Sequence, residues 1–396
     1  MRGRLFLRDL LRNIIVDKTL CSGCGLCVLQ CPTKALKLKV DGEGFYYPAL
    51  RTDLCNHCGA CSSVGSGVNC SFVHPVKRNE KLGDVFLARY KAFQDLDFDV
   101  LNYFCRRLAD GFVRFGGVVF GAQYQDDHWL LHMRCDTLKS ASLLNCTSSL
   151  QSDLQNSYEQ IRKYLERRTP VLFFGRPCEV SGLYAYLGKL ADHADLITCD
   201  TECHGAASPL VWKRYTQYCE RLYDARLNDV KLYSNPNARW MHCEMTAAGK
   251  RVRRDNYAAW LKKRLILRPA CYTCKFSAGL CVSDVHLSFI TDKDTGDAVA
   301  AIVGSKRGVR LLEICQNSLQ DFEVAPAKDR VCLVKRPPAA APAEDRAAFW
   351  HDYFEGRFFR ILKKYSKTNY ADQIAYFFVC LSYRFRKLLS RKTNIS

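Results

Sequence analysis

Cys21-Ser22-Gly23-Cys24-Gly25-Leu26-Cys27-Val28-Leu29-Gln30-Cys31-Pro32 places four cysteines at gaps of two, two and three residues, with proline after the last. A cubane of four irons takes one thiolate per iron, and a short loop presents three of them from one side, so the fourth comes from elsewhere. A second run, Cys55-Asn56-His57-Cys58-Gly59-Ala60-Cys61, repeats the first seven positions, and its next thiol is Cys70. When two such runs share a domain, each gives three ligands to its own cluster and its last cysteine to the other. That predicts Cys21, Cys24 and Cys27 with Cys70, and Cys55, Cys58 and Cys61 with Cys31. Gly65 stands where the regular gap would put a cysteine. Either Gly65-Ser66-Gly67 is a flexible insertion that displaces the ligand to Cys70, or the second site holds three cysteines or no metal. Disulfides suit tight triplets poorly, and no secretory signal precedes them.

A chain of 396 residues is too long for these two loops alone and calls for two or three domains. Lys and Arg number 59 against 40 Asp and Glu, a formal charge of +19. Such an excess raises nucleic-acid or anionic-membrane binding. Thiolate clusters offset part of it, since three oxidised cubanes would carry roughly six negative charges. No apolar stretch reaches bilayer length, and Arg4, Arg8 and Arg12 interrupt the N-terminus without a small-residue cleavage site, so the expected location is cytoplasmic. The 22 cysteines agree with a reducing interior.

Residues 1–78 read as an α+β ferredoxin-like two-cluster domain, with short strands near Arg12 to Val16, Leu36 to Val40 and Tyr46 to Pro48. Residues 79–333 change to apolar strands followed by helices. Val118 to Ala122, Pro170 to Gly175, Leu196 to Asp200 and Ala298 to Gly304 read as buried strands. Asp153 to Arg168 has helical apolar spacing, and Ser208-Pro209 is a helix start. The alternation predicts an α/β domain with a mixed or parallel sheet. Residues 334–396 read as a linker, Pro337 to Pro342, that detaches a basic tail. From Arg357 to Lys392 ten Lys and Arg face one acid, Asp372, with Phe358, Phe359, Ile361, Tyr376 and Phe377 interleaved. This fits an amphipathic helix on the inner face of an anionic membrane, or equally a solvated helix packed on the body; nucleic acid is the weaker reading.

Four more cysteines follow expected strands or form a chelating pair: Cys178 in Gly175-Arg176-Pro177-Cys178, Cys203 in Glu202-Cys203-His204-Gly205, and Cys271 with Cys274 in Arg268-Pro269-Ala270-Cys271-Tyr272-Thr273-Cys274. Loops beyond the carboxyl ends of strands form the crevice of an open α/β sheet. These cysteines are candidates for a third 4Fe-4S cluster, with zinc or buried unliganded thiols as competing readings.

The stretches Phe115 to Ala122, Val171 to Gly182, Cys203 to Gly205 with Ser208-Pro209, and Arg268 to Phe276 resemble the coenzyme F-420 hydrogenase/dehydrogenase beta-subunit family. The likeness runs over about residues 15 to 330 and is nearest the bacterial branch with an N-terminal two-cluster ferredoxin domain, often of the polysaccharide-locus type. The resemblance implies an α/β domain of that beta-subunit type, a cluster on Cys178, Cys203, Cys271 and Cys274, and FAD contacts at Gly116, Gly117, Gln151 and Ser152. It also implies electron exchange with a redox partner protein or reduced ferredoxin. Three stretches depart from it. Asp99-Val100-Leu101-Asn102-Tyr103 replaces a glycine-rich turn, Cys146 to Leu150 replaces a lysine-bearing segment before Gln151-Ser152-Asp153, and Val285 to Ile290 replaces a glycine turn after Ser283-Asp284. Two functions follow. One is a flavin-dependent iron-sulfur oxidoreductase, with His204 as a candidate proton donor and a substrate in cell-surface polysaccharide metabolism. The other is a non-catalytic electron-relay subunit without the flavin site.

Overall fold

The computed structural model describes residues 17–61, 84–91, 99–235, 240–254, 256–278, 282–292, 296–327, 342–356 and 358–366. Cys70, the Gly65 to Gly67 spacer, the strand expected over 12–16, residues 337–341 of the linker and the basic stretch beyond 366 lie outside them.

A short helix α1 (Leu26–Leu29) leads into a hairpin, β1 (Leu36–Val40) and β2 (Tyr46–Leu50). The principal elements that follow are β3 (Asp84–Tyr90), α2 (Val100–Arg114), β4 (Val118–Tyr124), β5 (Leu130–Cys135), α3 (Ser157–Glu166), β6 (Val171–Gly175), α4 (Pro177–Leu187), β7 (Leu196–Thr201) and α5 (Pro209–Tyr223). Then come β8 (Leu227–Asn235), β9 (Trp240–Ala247), β10 (Lys250–Arg253), α6 (Asn256–Lys262), β11 (Val285–Asp292), β12 (Gly296–Val303), α7 (Lys306–Cys315), β13 (Phe322–Pro326), α8 (Arg346–Glu355) and α9 (Phe358–Tyr365). The strands expected at 118, 170, 196 and 298 form as β4, β6, β7 and β12.

Eight strands make one mixed sheet in the order β13-β3-β12-β11-β7-β6-β4-β5. Its centre, β4, β6, β7 and β11, is parallel. The flanking pairs are antiparallel. Alternate residues of these strands feed two cores because successive side chains point to opposite faces. Val119, Leu172, Ile197 and Val285 join Phe104, Leu108 and Phe112 of α2 on one face. Val118, Phe120, Val171 and Phe173 join Ile161 of α3 and Leu183 of α4 on the other. Each large apolar side chain so buried contributes about 1.5–3 kcal/mol. Asp99 caps α2 by accepting the Asn102 N–H at 2.9 Å, and Thr147 donates its hydroxyl to the same carboxylate. The stretch that lacks the family's glycine turn is therefore the start of a packed helix, with Val100, Leu101 and Asn102 buried.

The chain divides into two compact units. Unit 1 takes Met1–Leu210, Asn235–Arg239 and Leu267–Ala341, so the cysteine loops and the eight-stranded sheet belong together. Unit 2 takes Val211–Ser234, Trp240–Ile266 and Pro342–Ser396. Its three-stranded sheet runs β10-β9-β8, with β9 and β10 antiparallel, and its core is aromatic, with Trp212, Trp260, Phe349 and Tyr365 buried. This corrects the expectation of a detached tail as far as Tyr365. Trp350 Nε1 donates to the Leu265 carbonyl at 3.1 Å, the Arg214 guanidinium donates to the Tyr353 carbonyl at 2.9 Å, and Ile361 is buried rather than free for a membrane. Among the described residues no helix is long and apolar enough to cross a membrane.

Candidate metal centre

The two cysteine runs fold alike. Each begins with a 3-10 turn, Lys18–Leu20 before Cys21 and Thr52–Leu54 before Cys55. Asp17 Oδ1 fixes the first by accepting the Thr19 N–H at 2.8 Å. The third and fifth loop positions then turn left-handed: Gly23 (φ +77°) and Gly25 (φ +74°) in the first, His57 (φ +55°) and Gly59 (φ +73°) in the second. Left-handed residues aim successive backbone N–H groups inward, making a concavity for anions. In the second loop the His57 N–H donates to Cys55 Sγ at 3.4 Å.

The β1–β2 hairpin brings the last cysteine of the first run toward the second run. Its register pairs Leu36 with Leu50, so Cys31, five residues before the one, and Cys55, five after the other, leave the same end of the ribbon. Burial pushes the Cys31 thiol up, but hydrogen bonds from the Thr33 hydroxyl and the N–H groups of Leu36, Ala35 and Thr33 leave it below the ordinary thiol value.

The other four cysteines converge on the crevice of the sheet. Gly175 of β6 pairs with Asp200 of β7, and Cys178 and Cys203 each stand three residues further on. Cys178 opens α4, whose Arg176 N–H donates to Glu179 Oε2 at 2.8 Å in a capping box. The Cys203 loop and the Cys271 segment clasp each other: the Arg268 N–H donates to the Ala206 carbonyl at 2.8 Å, and the Ala206 N–H donates to Cys271 Sγ at 3.2 Å. Burial raises the Cys178 thiol well above its usual value, and the charges of Glu179, Cys203 and Cys274 add to that. Burial, then Cys203 and Cys274, push Cys271 up to about 12. Thiolates gathered this closely repel one another, and a cationic cluster core would offset that repulsion. Among the described residues no three His, Cys, Asp or Glu side chains close on one point as a single ion requires; a cubane places each thiolate on a separate iron and spreads them wider. Four cysteines with a backbone N–H on one sulfur are a donor set suited to a 4Fe-4S cluster, as to zinc.

The first loop docks on this crevice. A Cβ on Gly182 of α4, one helical turn beyond Cys178, would lie 3.1 Å from Cys24 Cβ and 3.4 Å from its Sγ. The Thr273 hydroxyl donates to the Thr19 carbonyl at 3.2 Å. Arg268 is 1 % exposed, and its guanidinium donates to the Cys21 carbonyl (2.6 Å), the Tyr46 carbonyl (2.8 Å) and Gln151 Oε1 (2.9 Å), and reaches Cys21 Sγ at 3.6 Å. It lies over the Tyr47 ring at 4.1 Å. Sequence reasoning gave Arg268 no role. The signal was the repeated Arg-Pro ahead of a cysteine, since Arg176 before Cys178 is likewise mostly covered and feels the charges of Cys203, Cys178 and Cys271.

The four residues expected at a flavin do not come together. Asp153 bridges to Leu131, whose β4 partner is Gln123. Gln151 and Ser152 thus sit at one end of β4, while Gly116 and Gly117 precede its other end, roughly 20 Å away at ~3.3 Å per residue. Gln151 is committed to the first cysteine loop, donating to the Ser22 carbonyl at 3.4 Å besides holding Arg268. The Ser152 hydroxyl bonds Glu179 at 3.3 Å. A Cβ at Gly117 would meet the Phe112 ring at 2.3 Å, so the space the glycine leaves is filled by the core. His204 lies half exposed, with Nε2 3.0 Å from Glu202 Oε1.

A family profile described as a 4Fe-4S binding domain matches residues 14–37. The ketoisovalerate oxidoreductase subunit VorC of Methanothermobacter marburgensis is 31% identical over 62 residues, 15% of this chain and 78% of that protein. The ferredoxin-type protein NapF of Haemophilus influenzae is 37% identical over 57 residues, 14% of this chain and 32% of that protein. Among solved structures, a chain of the F420-reducing NiFe hydrogenase complex from Methanosarcina barkeri aligns with TM-score 0.41 and 14% identity, over 69% of this chain and 89% of that one. The two sequence relatives speak for the N-terminal segment.

Proposed function

We propose, for a chain whose N-terminal segment belongs to the ferredoxin-type 4Fe-4S proteins, that it is an electron-relay subunit in which the Cys21 loop exchanges electrons with a third cluster on Cys178, Cys203, Cys271 and Cys274. Bound 4Fe-4S clusters supply one-electron exchange. The chain's own residues supply the rest: α4 and the Cys203 loop offer thiolates at the carboxyl ends of β6 and β7, backbone N–H groups support the sulfurs, and the Cys21 loop is fastened alongside. The observation that carries this reading is that seam, where Cys24 lies against the helix that begins at Cys178. Cys31 and Cys70 would complete the second and first clusters. A redox partner protein would supply or accept the electrons.

The relay is preferred to a flavin-dependent reaction because the expected flavin positions serve other ends: Gln151 holds the cysteine loop, Phe112 fills the space at Gly117, and Asp99 to Asn102 start a packed helix. Anaerobic purification followed by iron, sulfide and flavin analysis tests both. The relay expects about twelve irons per chain, four for each cubane, and no flavin. Cys178→Ser and Cys271→Ser should each lower iron to about eight. Iron content that Cys178→Ser and Cys271→Ser both leave unchanged refutes the third cluster, and one tightly held flavin per chain refutes the relay in favour of the enzyme.

A further inference from the structure

A fully buried arginine needs a counter-charge, because an unpaired cation in the interior is strongly unfavourable. The partners of the Arg268 guanidinium are the carbonyls of Cys21 and Tyr46, the side-chain oxygen of Gln151, the Cys21 sulfur at 3.6 Å and the rings of Tyr47 and Phe45 at 4.1 and 5.6 Å. None of these is a carboxylate, and no carboxylate forms an ion pair with it among the described residues. Among the described residues the group in reach of the guanidinium that can carry a negative charge is therefore the Cys21 sulfur. Three residues beyond Arg268 stands Cys271, whose N–H donates to the Arg268 carbonyl at 2.9 Å. The same residue thus touches a ligand of the first loop with its side chain and a ligand of the crevice set with its backbone.

We infer that Arg268 is a positioning residue that holds the Cys21 loop against the crevice cysteines and, as a fixed positive charge, raises the reduction potential of the cluster that Cys21 ligates. This rests on the relay reading above. Adding an electron to a thiolate cluster adds negative charge, which a cation beside a ligand sulfur favours. In a protein interior a unit charge within about 4 Å shifts such an equilibrium well over tenfold. Gln151 orients the guanidinium and contributes no charge.

The test is an anaerobic redox titration of the full-length, iron-loaded chain followed by electron paramagnetic resonance, with Cys21→Ser identifying which signal belongs to the Cys21 cluster. Arg268→Gln is expected to lower the equilibrium constant for one-electron reduction of that cluster at least tenfold, about 59 mV. Arg268→Lys, which keeps the charge, is expected to stay within threefold of wild type. Gln151→Glu, which keeps the acceptor for Arg268 but adds a negative charge, should lower the potential in the same direction as Arg268→Gln. An iron-replete Arg268→Gln protein with the wild-type potential overturns the inference. If that variant fails to load iron, Gln151→Glu decides, and an unmoved potential there overturns it equally. Should Cys21→Ser leave every signal unchanged, the assignment of the cluster to Cys21 fails, a different failure from that of the arginine.

Discussion

Replacing Gly23 by alanine probes the seam where the first cysteine loop meets the sheet. Gly23 adopts φ +77°, and a Cβ there would stand 2.5 Å from Gln151 Nε2, 2.8 Å from the Tyr46 carbonyl and 2.9 Å from Arg268 Nη1. The left-handed backbone alone costs about 1–2 kcal/mol for a residue with a Cβ, a cost the equivalent His57 already bears at φ +55°. Overpacking adds about 1–3 kcal/mol, and weakening the charge-assisted bonds of Arg268 adds about 1.5–3 kcal/mol. The control lies in the second loop: Gly59 has φ +73° with nothing within 4 Å of its Cβ position, so Gly59→Ala incurs the backbone cost only. Gly23→Ala is therefore expected to be less stable than Gly59→Ala by about 2.5–6 kcal/mol. Anaerobic urea titrations of both iron-loaded variants, followed by cluster absorbance and far-ultraviolet circular dichroism, measure the difference. Equal midpoints, or a larger effect of Gly59→Ala, would show that the loop does not dock on Arg268 and Gln151.

His132 is buried, donates Nε2–H to the Phe174 carbonyl at 3.0 Å and has no partner for Nδ1 among the described residues; burial holds its pKa below the ordinary 6.5. Because the unfolded chain binds the proton more readily, this neutral imidazole stabilises the fold above about pH 6.5, and that contribution is lost as pH falls toward the depressed value. Stability of His132→Gln should consequently fall less than that of wild type between pH 7.5 and 5.5, and parallel curves would contradict the assignment. Stopping the chain at Pro342 removes Phe349, Trp350, Tyr353, Ile361, Leu362 and Tyr365 from the core of unit 2, each worth about 1.5–3 kcal/mol. Limited proteolysis should then cut within 211–266 while the eight-stranded sheet resists, and protection of 211–266 equal to that of the full chain would argue against the packing of α8 and α9.

The cysteine spacing and the apolar runs at 118, 170, 196 and 298 were legible because each is a local pattern: ligand gaps follow from cubane geometry, and strands from runs of β-branched and aromatic residues. The tail left two readings open because its aromatic and basic interleaving suits a membrane face and a packed helix equally. Only tertiary contacts distinguish the two, those of α8 with Leu265 and Arg214 and that of Tyr365 in α9 with Lys263. The glycine at 117 is ambiguous in the same way, since a glycine that admits a cofactor and one that admits Phe112 are the same letter.

The sequence by itself determined that this chain binds iron-sulfur clusters through its first loop and that a mixed α/β sheet follows, since both rest on spacings within a few residues. Tertiary structure decided which cysteines become neighbours. The pairing of Gly175 with Asp200 brings Cys178 and Cys203 level, and a buried arginine 247 residues from Cys21 ties the two cysteine sets together. Contacts across such separations depend on strand register and on the need of a buried charge for its counter-charge, which no local pattern records.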